Sequence, residues 1–270
     1  MRTPKKIIAF VAVIALIFVF CYWQNNDIVV TRLEYSNSEI PDAFDGSVIL
    51  QVSDLHNKQF GDNQSALLSL TKKISPDMIV ITGDLIDSGH TDIDTAMDYV
   101  RGAVLIAPVY FVTGNHEVWS DQYGTLARDL IQVGVTILEN SRETIQINGE
   151  EITLIGLADC CTISPDSESI FDAEDKGFSI LLSHRPELFE EYAKRDVDLV
   201  FSGHAHGGQF RVPYLLGAYS PDQGLLPEYT SGMYIEERTT MAVSRGLGNS
   251  VIPVRIFNRP ELIVVTLHKS

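Results

Sequence analysis

Five apolar, β-branched runs in this 270-residue chain end in residues able to hold metal ions or move protons. Val48-Ile49-Leu50-Gln51-Val52 leads into Ser53-Asp54-Leu55-His56, and Met78-Ile79-Val80-Ile81 leads into Thr82-Gly83-Asp84. Val109-Tyr110-Phe111-Val112 runs into Thr113-Gly114-Asn115-His116-Glu117, and Phe178-Ser179-Ile180-Leu181-Leu182-Ser183 ends at His184. A last short run, Asp198-Leu199-Val200-Phe201, opens into Ser202-Gly203-His204-Ala205-His206-Gly207-Gly208. A lone histidine at a strand end is more often a satisfied polar residue than a ligand. Here five of the seven histidines fall in these endings, which chance does not readily produce. Imidazole and oxygen donors without thiolates suit Mn, Fe, Zn, Co or Ni rather than calcium. One carboxylate shared by two ions roughly 3.5–4 Å apart is an economical way to build a two-metal hydrolase, and Asp84 is the candidate.

Such donors meet only if the runs are strands of one sheet whose ends converge on a common edge. The intervening segments support this. Asn63 to Ile74 carries Leu67, Leu68, Leu70 and Ile74 at helical spacing, and Thr91 to Gly102 carries Ile93, Ala96, Met97 and Val100. Strand–helix–strand repetition predicts parallel pairing with right-handed crossovers. Ile28 to Tyr35 reads as an early strand, Asp121 to Val133 as a helix and Val135 to Leu138 as a short strand. Glu143 to Ile147 and Ile152 to Leu157 read as a hairpin turning at Asn148-Gly149. Ser164 to Lys176 is polar and reads as a loop or a short helix over the surface, and Pro186 opens a helix through Lys194. Gly217 to Gly232, rich in Gly, Pro and Tyr, reads as a loop able to cover a site. Met241 to Ser244, Val251 to Phe257 and Leu262 to His268 read as closing antiparallel strands.

The N-terminus is a separate matter. Arg2, Lys5 and Lys6 precede an unbroken apolar run from Ile7 to Trp23, at the short end of the roughly 17–25 residues that span a bilayer. Bulky Phe18, Phe20, Tyr22 and Trp23 leave no small-residue cleavage site, and Phe20 before Cys21 fits a lipoprotein poorly. The run therefore reads as a retained signal anchor with its basic flank in the cytoplasm and the rest of the chain on the extracytoplasmic side of the cell membrane. Residues 1–26 make the anchor and a polar joint, and residues 27–270 make one domain. All 36 acidic residues and 17 of the 20 basic ones lie after Trp23, which gives that part a formal charge of −19. Such a surface repels polyanions, so no nucleic-acid partner is expected. Adjacent Cys160 and Cys161 make no disulfide framework and no thiolate zinc site.

Asp54-Leu55-His56, Gly83-Asp84, Gly114-Asn115-His116-Glu117, His184 and Gly203-His204-Ala205-His206, in this order, resemble the five blocks of the calcineurin-like metallophosphoesterases. The likeness runs from about Val48 to Gly208, continues more weakly through Ser244-Arg245-Gly246-Leu247-Gly248, and is greatest to the membrane-anchored bacterial branch, whose members include phosphodiesterases and enzymes acting on UDP-diacylglucosamine. It implies a four-layer α/β/β/α sandwich and two divalent metal ions, Mn favoured. Asp54, His56, Asp84 and His206 would hold one ion, and Asp84, Asn115, His184 and His204 the other. The implied chemistry is in-line attack on phosphorus by a hydroxide bridging the metals, with His116 protonating the leaving oxygen or stabilising the transition state. Glu117 is either a partner orienting His116 or a solvent-facing carboxylate, and Arg245 either a phosphate contact or a surface salt bridge. The expected substrate is a phosphodiester or pyrophosphate. Anchoring beside a bilayer suggests a lipid-linked one, with Trp119, Tyr123, Tyr214, Leu215, Leu216 and Tyr219 available to line an apolar approach. The rivals are a soluble phosphomonoesterase and a catalytically silent scaffold of the same fold.

Overall fold

The computed structural model describes residues 3–159, 163, 168–172, 177–209, 211, 217, 219–249 and 254–270. Helix α1 (Thr3–Asn26) comes first, and its Lys6–Asn26 portion is long and apolar enough to cross a membrane, with a mean hydropathy of 2.5. The helix continues through Gln24-Asn25-Asn26, where the sequence reads as a polar joint, because these amides cap it from within. Asn25 Nδ2 donates to Cys21 O at 2.7 Å and Asn26 Nδ2 to Tyr22 O at 2.8 Å.

Two six-stranded mixed sheets follow. The first comprises β1 (Val29–Asn37), β2 (Val48–Val52), β3 (Met78–Thr82), β4 (Val109–Val112), β5 (Thr136–Ile137) and β14 (Glu261–Lys269), in the order β1-β14-β2-β3-β4-β5. Strands β2 to β5 run parallel, with helices α2 (Ser65–Ile74), α3 (Ile93–Ala103) and α5 (Tyr123–Gln132) in the crossovers, as the repeated pattern predicts. Asp92 caps α3, its Oδ1 accepting Thr95 N at 3.1 Å. The second sheet comprises β6 (Ser141–Ile147), β7 (Glu150–Gly156), β8 (Ser179–Leu182), β9 (Leu199–Ser202), β12 (Gly232–Glu236) and β13 (Thr239–Val243), ordered β12-β13-β9-β8-β7-β6. Hairpin β6–β7 turns at Asn148-Gly149 with both residues at positive φ, as expected of that dipeptide.

Alternation along each strand divides the side chains among three cores. Leu50, Val52, Ile79 and Ile81 face α2, α3 and α5, whereas Ile49, Val80, Val112 and Val265 meet Leu154, Ile180, Leu182 and Phe201 between the sheets. Ile155, Leu181 and Val200 pack outward under the short helix Phe189–Ala193. The result is the expected α/β/β/α sandwich. Deep between the sheets, buried Gln51 Nε2 donates to Thr82 Oγ1 and Ser202 O, both at 2.9 Å, and ties the two sheets together just below the strand ends.

The C-terminal part departs from expectation in three respects. The closing strands are not simply antiparallel: β13 is parallel to β9, and β14 is parallel to β1 though antiparallel to β2. Edge strand β12 carries no clear alternation and escapes a pattern reading. Of the expected strand Val251 to Phe257, residues 254–257 form no extended strand, and 251–253 lie outside the described residues. So do Cys160, Cys161, most of Ser164 to Lys176, and Tyr214 to Leu216. Within the expected covering loop stands a small hairpin, β10 (Tyr219–Ser220) with β11 (Gly224–Leu225).

Candidate metal centre

Loops leaving β2, β3, β4, β8 and β9 bring all eight expected site residues to one edge of the sandwich. Five of them, Asp54, His56, Asp84, His204 and His206, adopt positive φ between 47° and 62°. Asp and His tolerate this region better than most residues, yet each instance costs roughly 1 kcal/mol or more, and such strain gathers at functional sites. Backbone bonds hold the loops in place: Asp54 N to Gly83 O and His56 N to Asp84 O at 3.0 Å, and Gly203 N to His184 O at 3.1 Å. Two close approaches demand glycine. A Cβ on Gly83 would lie 2.5 Å from Gly114 N, and one on Gly203 would lie 2.0 Å from Ser53 Oγ.

Two donor groups overlap at Asp84. Asp54, His56, Asp84 and His206 form one, and Asp84, His184 and His204 form the other, with Asn115 Oδ1 3.2 Å from His184 Nε2. A single oxygen, Asp84 Oδ2, lies 3.5 Å from His56 Nε2 and 3.3 Å from His184 Nε2, while Asp84 Oδ1 accepts His116 N at 2.8 Å. His206 Nε2 stands 3.2 Å from His56 Nε2 and 3.5 Å from Asp54 Oδ1. His184 Nδ1 is fixed on Thr82 O at 2.7 Å, which turns its Nε2 to the centre.

The donor set fits divalent cations. Burial lowers His56 and His204 to about 4, and it lowers His206 well below the usual histidine range, so these rings are neutral and ligand-ready at neutral pH. Burial would also lower His184, but the Asp84 charge and hydrogen bond raise it to about 10. Burial alone would raise Asp84, yet the neighbouring imidazoles, His184 foremost, hold it well below the carboxylate range. His56 Nε2 and His206 Nε2 face one another at 3.2 Å on two neutral rings beside the Asp54 and Asp84 carboxylates, an arrangement that suits donors about a cation, and His184 would add its Nε2 lone pair once its proton is displaced.

The centre floors a cleft of about 660 Å³ lined by Asp84, Asn115, His116, His204, His206 and Trp119 among others. His116, on the short helix α4 (Asn115–Trp119), accepts Ser88 N at Nδ1 at 3.0 Å, which places its proton on Nε2. Trp119, 66% exposed, packs against it with ring centroids 5.4 Å apart. Glu117 neither touches His116 nor faces solvent. It is buried and accepts Asp84 N at 2.7 Å, Gly114 N at 2.8 Å and Ile86 N at 3.1 Å, so it clamps two ligand loops together. Arg245 takes the salt-bridge alternative, 2.7 Å from Glu261. Tyr219 reaches the cleft with Trp119, whereas Tyr123 turns to Glu139 at 2.6 Å.

Three residues escape a sequence reading. Asp87 Oδ2 lies 3.7 Å from His56 Nδ1 and 3.8 Å from His116 Nδ1, and its signal was its place three residues after Asp84. Asp222 and Arg255 carry no such signal. Asp222 contacts His204, and buried Arg255 brings Nη2 within 3.4 Å of His206 Nδ1 while Asn25 Oδ1 accepts its backbone N at 2.8 Å. The end of α1 is thereby joined to the metal centre.

Comparison with known proteins follows the same blocks. The family model for calcineurin-like phosphoesterases matches residues 47–208, more than half the chain. YkuE of Bacillus subtilis, named an uncharacterized metallophosphoesterase, is 33% identical over 258 residues, covering 92% of this chain and 88% of its own. The phosphodiesterase YaeI of Escherichia coli is 27% identical over 228 residues, covering 81% of each. Among solved structures, TT1561 of Thermus thermophilus shares the fold with a TM-score of 0.51 at 13% identity, over 74% of this chain and 90% of that one.

Proposed function

The chain belongs to the calcineurin-like phosphoesterase family of metal-dependent phosphoester hydrolases, and from that premise we propose that it works with two divalent cations sharing Asp84. Asp54, His56, Asp84 and His206 would hold one, and Asp84, Asn115, His184 and His204 the other. The observation that carries this reading is the position of Asp84 Oδ2 between His56 Nε2 and His184 Nε2, with Oδ1 already engaged by His116 N. Mn is the proposed metal among Mn, Fe, Zn, Co and Ni, on family likeness, since these donors do not choose among them. When bound, such a pair lowers the pKa of water at the site and neutralises phosphoryl oxygens as charge develops.

The chain's own groups supply the rest. Ser88 N, donating to Nδ1, holds the His116 ring in the tautomer that presents Nε2–H, a donor able to hydrogen-bond a leaving oxygen as charge develops on it. Trp119 lies against one side of that ring at the cleft. Exposed Trp119 and Tyr219 beside the cleft, together with the apolar helix α1, support a phosphodiester or pyrophosphate carrying an acyl chain, turned over at the extracytoplasmic membrane face. The division into an anchor over residues 1–26 and a catalytic domain over 27–270 belongs to the same reading.

Metal-loaded protein should be assayed on mono-, di- and pyrophosphate substrates, each with and without an acyl chain. Diesters or pyrophosphates with the chain should turn over fastest. Equal rates without it would remove the lipid assignment, and absence of all metal-dependent hydrolysis would favour the scaffold.

A further inference from the structure

Hairpin β10–β11 stands outside the two six-stranded sheets, but its turn, 18 residues past His204, reaches back to that ring. Asp222 Oδ2 sits 2.9 Å from His204 Nε2, while the opposite ring nitrogen of His204, Nδ1, faces His184 Nε2 at 3.1 Å. The same Asp222 oxygen accepts Arg185 Nη1 at 2.6 Å. Arg185 is 4% exposed and is itself held by Asp159, with Nε–Oδ1 at 2.7 Å and Nη2–Oδ2 at 3.1 Å. Because Arg185 directly follows His184, a closed circuit runs from His184 through the chain to Arg185, across to Asp222, and back to His204.

A guanidinium always donates, so Asp222 Oδ2 must be an acceptor, and the His204 nitrogen facing it must carry the proton. The lone pair of His204 is then on Nδ1, the atom turned to Asp84 and His184. We propose that Asp222 is a positioning residue that fixes the tautomer and orientation of His204, with Arg185 holding the carboxylate in place. Carboxylates that receive the outer N–H of a ligating histidine contribute about 10–100-fold in metal affinity. The inference rests on the reading of His204 as a ligand. It adds an element with no counterpart in the strand-end blocks, a surface hairpin whose tip completes the metal centre.

Asp222 has φ +58°, so the test must preserve the turn. D222G keeps the turn and removes the carboxylate, whereas D222N keeps the turn and an acceptor oxygen. Two quantities are measured on the full chain: Mn affinity by titration against a chelator, and the His204 tautomer in metal-free protein by long-range 1H–15N correlation. Wild type and D222N should show protonated Nε2, with D222G mixing tautomers. The Mn site that includes His204 should lose about 10–100-fold in D222G and recover in part in D222N. A single unchanged tautomer in D222G, or wild-type affinity for both ions, would overturn the assignment. If wild type itself binds no second ion, the two-metal reading fails, and the tautomer comparison still decides the role of Asp222.

Discussion

At the scale of single residues, the site sorts buried imidazoles into two kinds. His56 and His204 are neutral at pH 7, but His184, raised to about 10 by Asp84, holds a proton that a cation must displace. Metal loading at pH 7 should therefore release at least one proton per chain. Affinity should rise as the pH climbs from 7 toward 10, because the competing proton is lost. Calorimetric titrations in buffers of different ionisation enthalpy would show this, and identical heats in all buffers would refute it. His116 stands apart from the ligands, since its ring lines the cleft and only its backbone N binds Asp84. His116→Ala should keep both ions and lose about 10²–10⁴-fold in kcat with KM little changed. A variant with normal kcat would remove its role at the leaving oxygen.

At the scale of elements, the strands bring the candidate ligands together only because loops lock their ends. Glu117 is the clearest case, since one carboxylate receives backbone N–H groups from the β3 loop and from the start of α4. Glu117→Gln sets an amide N–H against at least one of those donors, and should cost about 2 kcal/mol in urea unfolding and weaken metal binding. Unchanged stability would mean the clamp is dispensable. Strands β2, β3, β4, β8 and β9 were legible because apolar β-branched runs ending in Gly, Asp or His are unusual outside buried parallel sheets. Strand β12 was not, since Gly232–Glu236 lies half-exposed at an edge with no alternation to read. The roles of Asp222 and Arg255 depend on irregular segments that fold back across the sheet ends, and no local pattern encodes such a return. Glu117 was visible as a candidate, but its role follows from burial, which spacing does not reveal.

At the scale of the whole molecule, α1 is continuous with the domain rather than loosely hinged. Asn25 accepts Arg255 N, Lys58 Nζ donates to Asn25 O, and Arg259 pairs with Asp27 and stacks over Trp23 at 4.8 Å. If α1 spans a bilayer, the full chain should stay in the membrane fraction after alkaline carbonate washing and leave it only with detergent; release by carbonate would count against a spanning helix. The acidity of the chain after Trp23, the apolar helix and the cleft all bear on which phosphoester is cut, but the proposed chemistry rests first on Asp84 being shared by two cations. The most direct test is to count metal ions per chain by elemental analysis in Mn-loaded wild type and Asp84→Asn, with turnover measured on the same samples. Two ions in wild type, with both sites emptied or disordered and turnover lost in the variant, is the predicted result. Two ions and normal turnover in Asp84→Asn would contradict it.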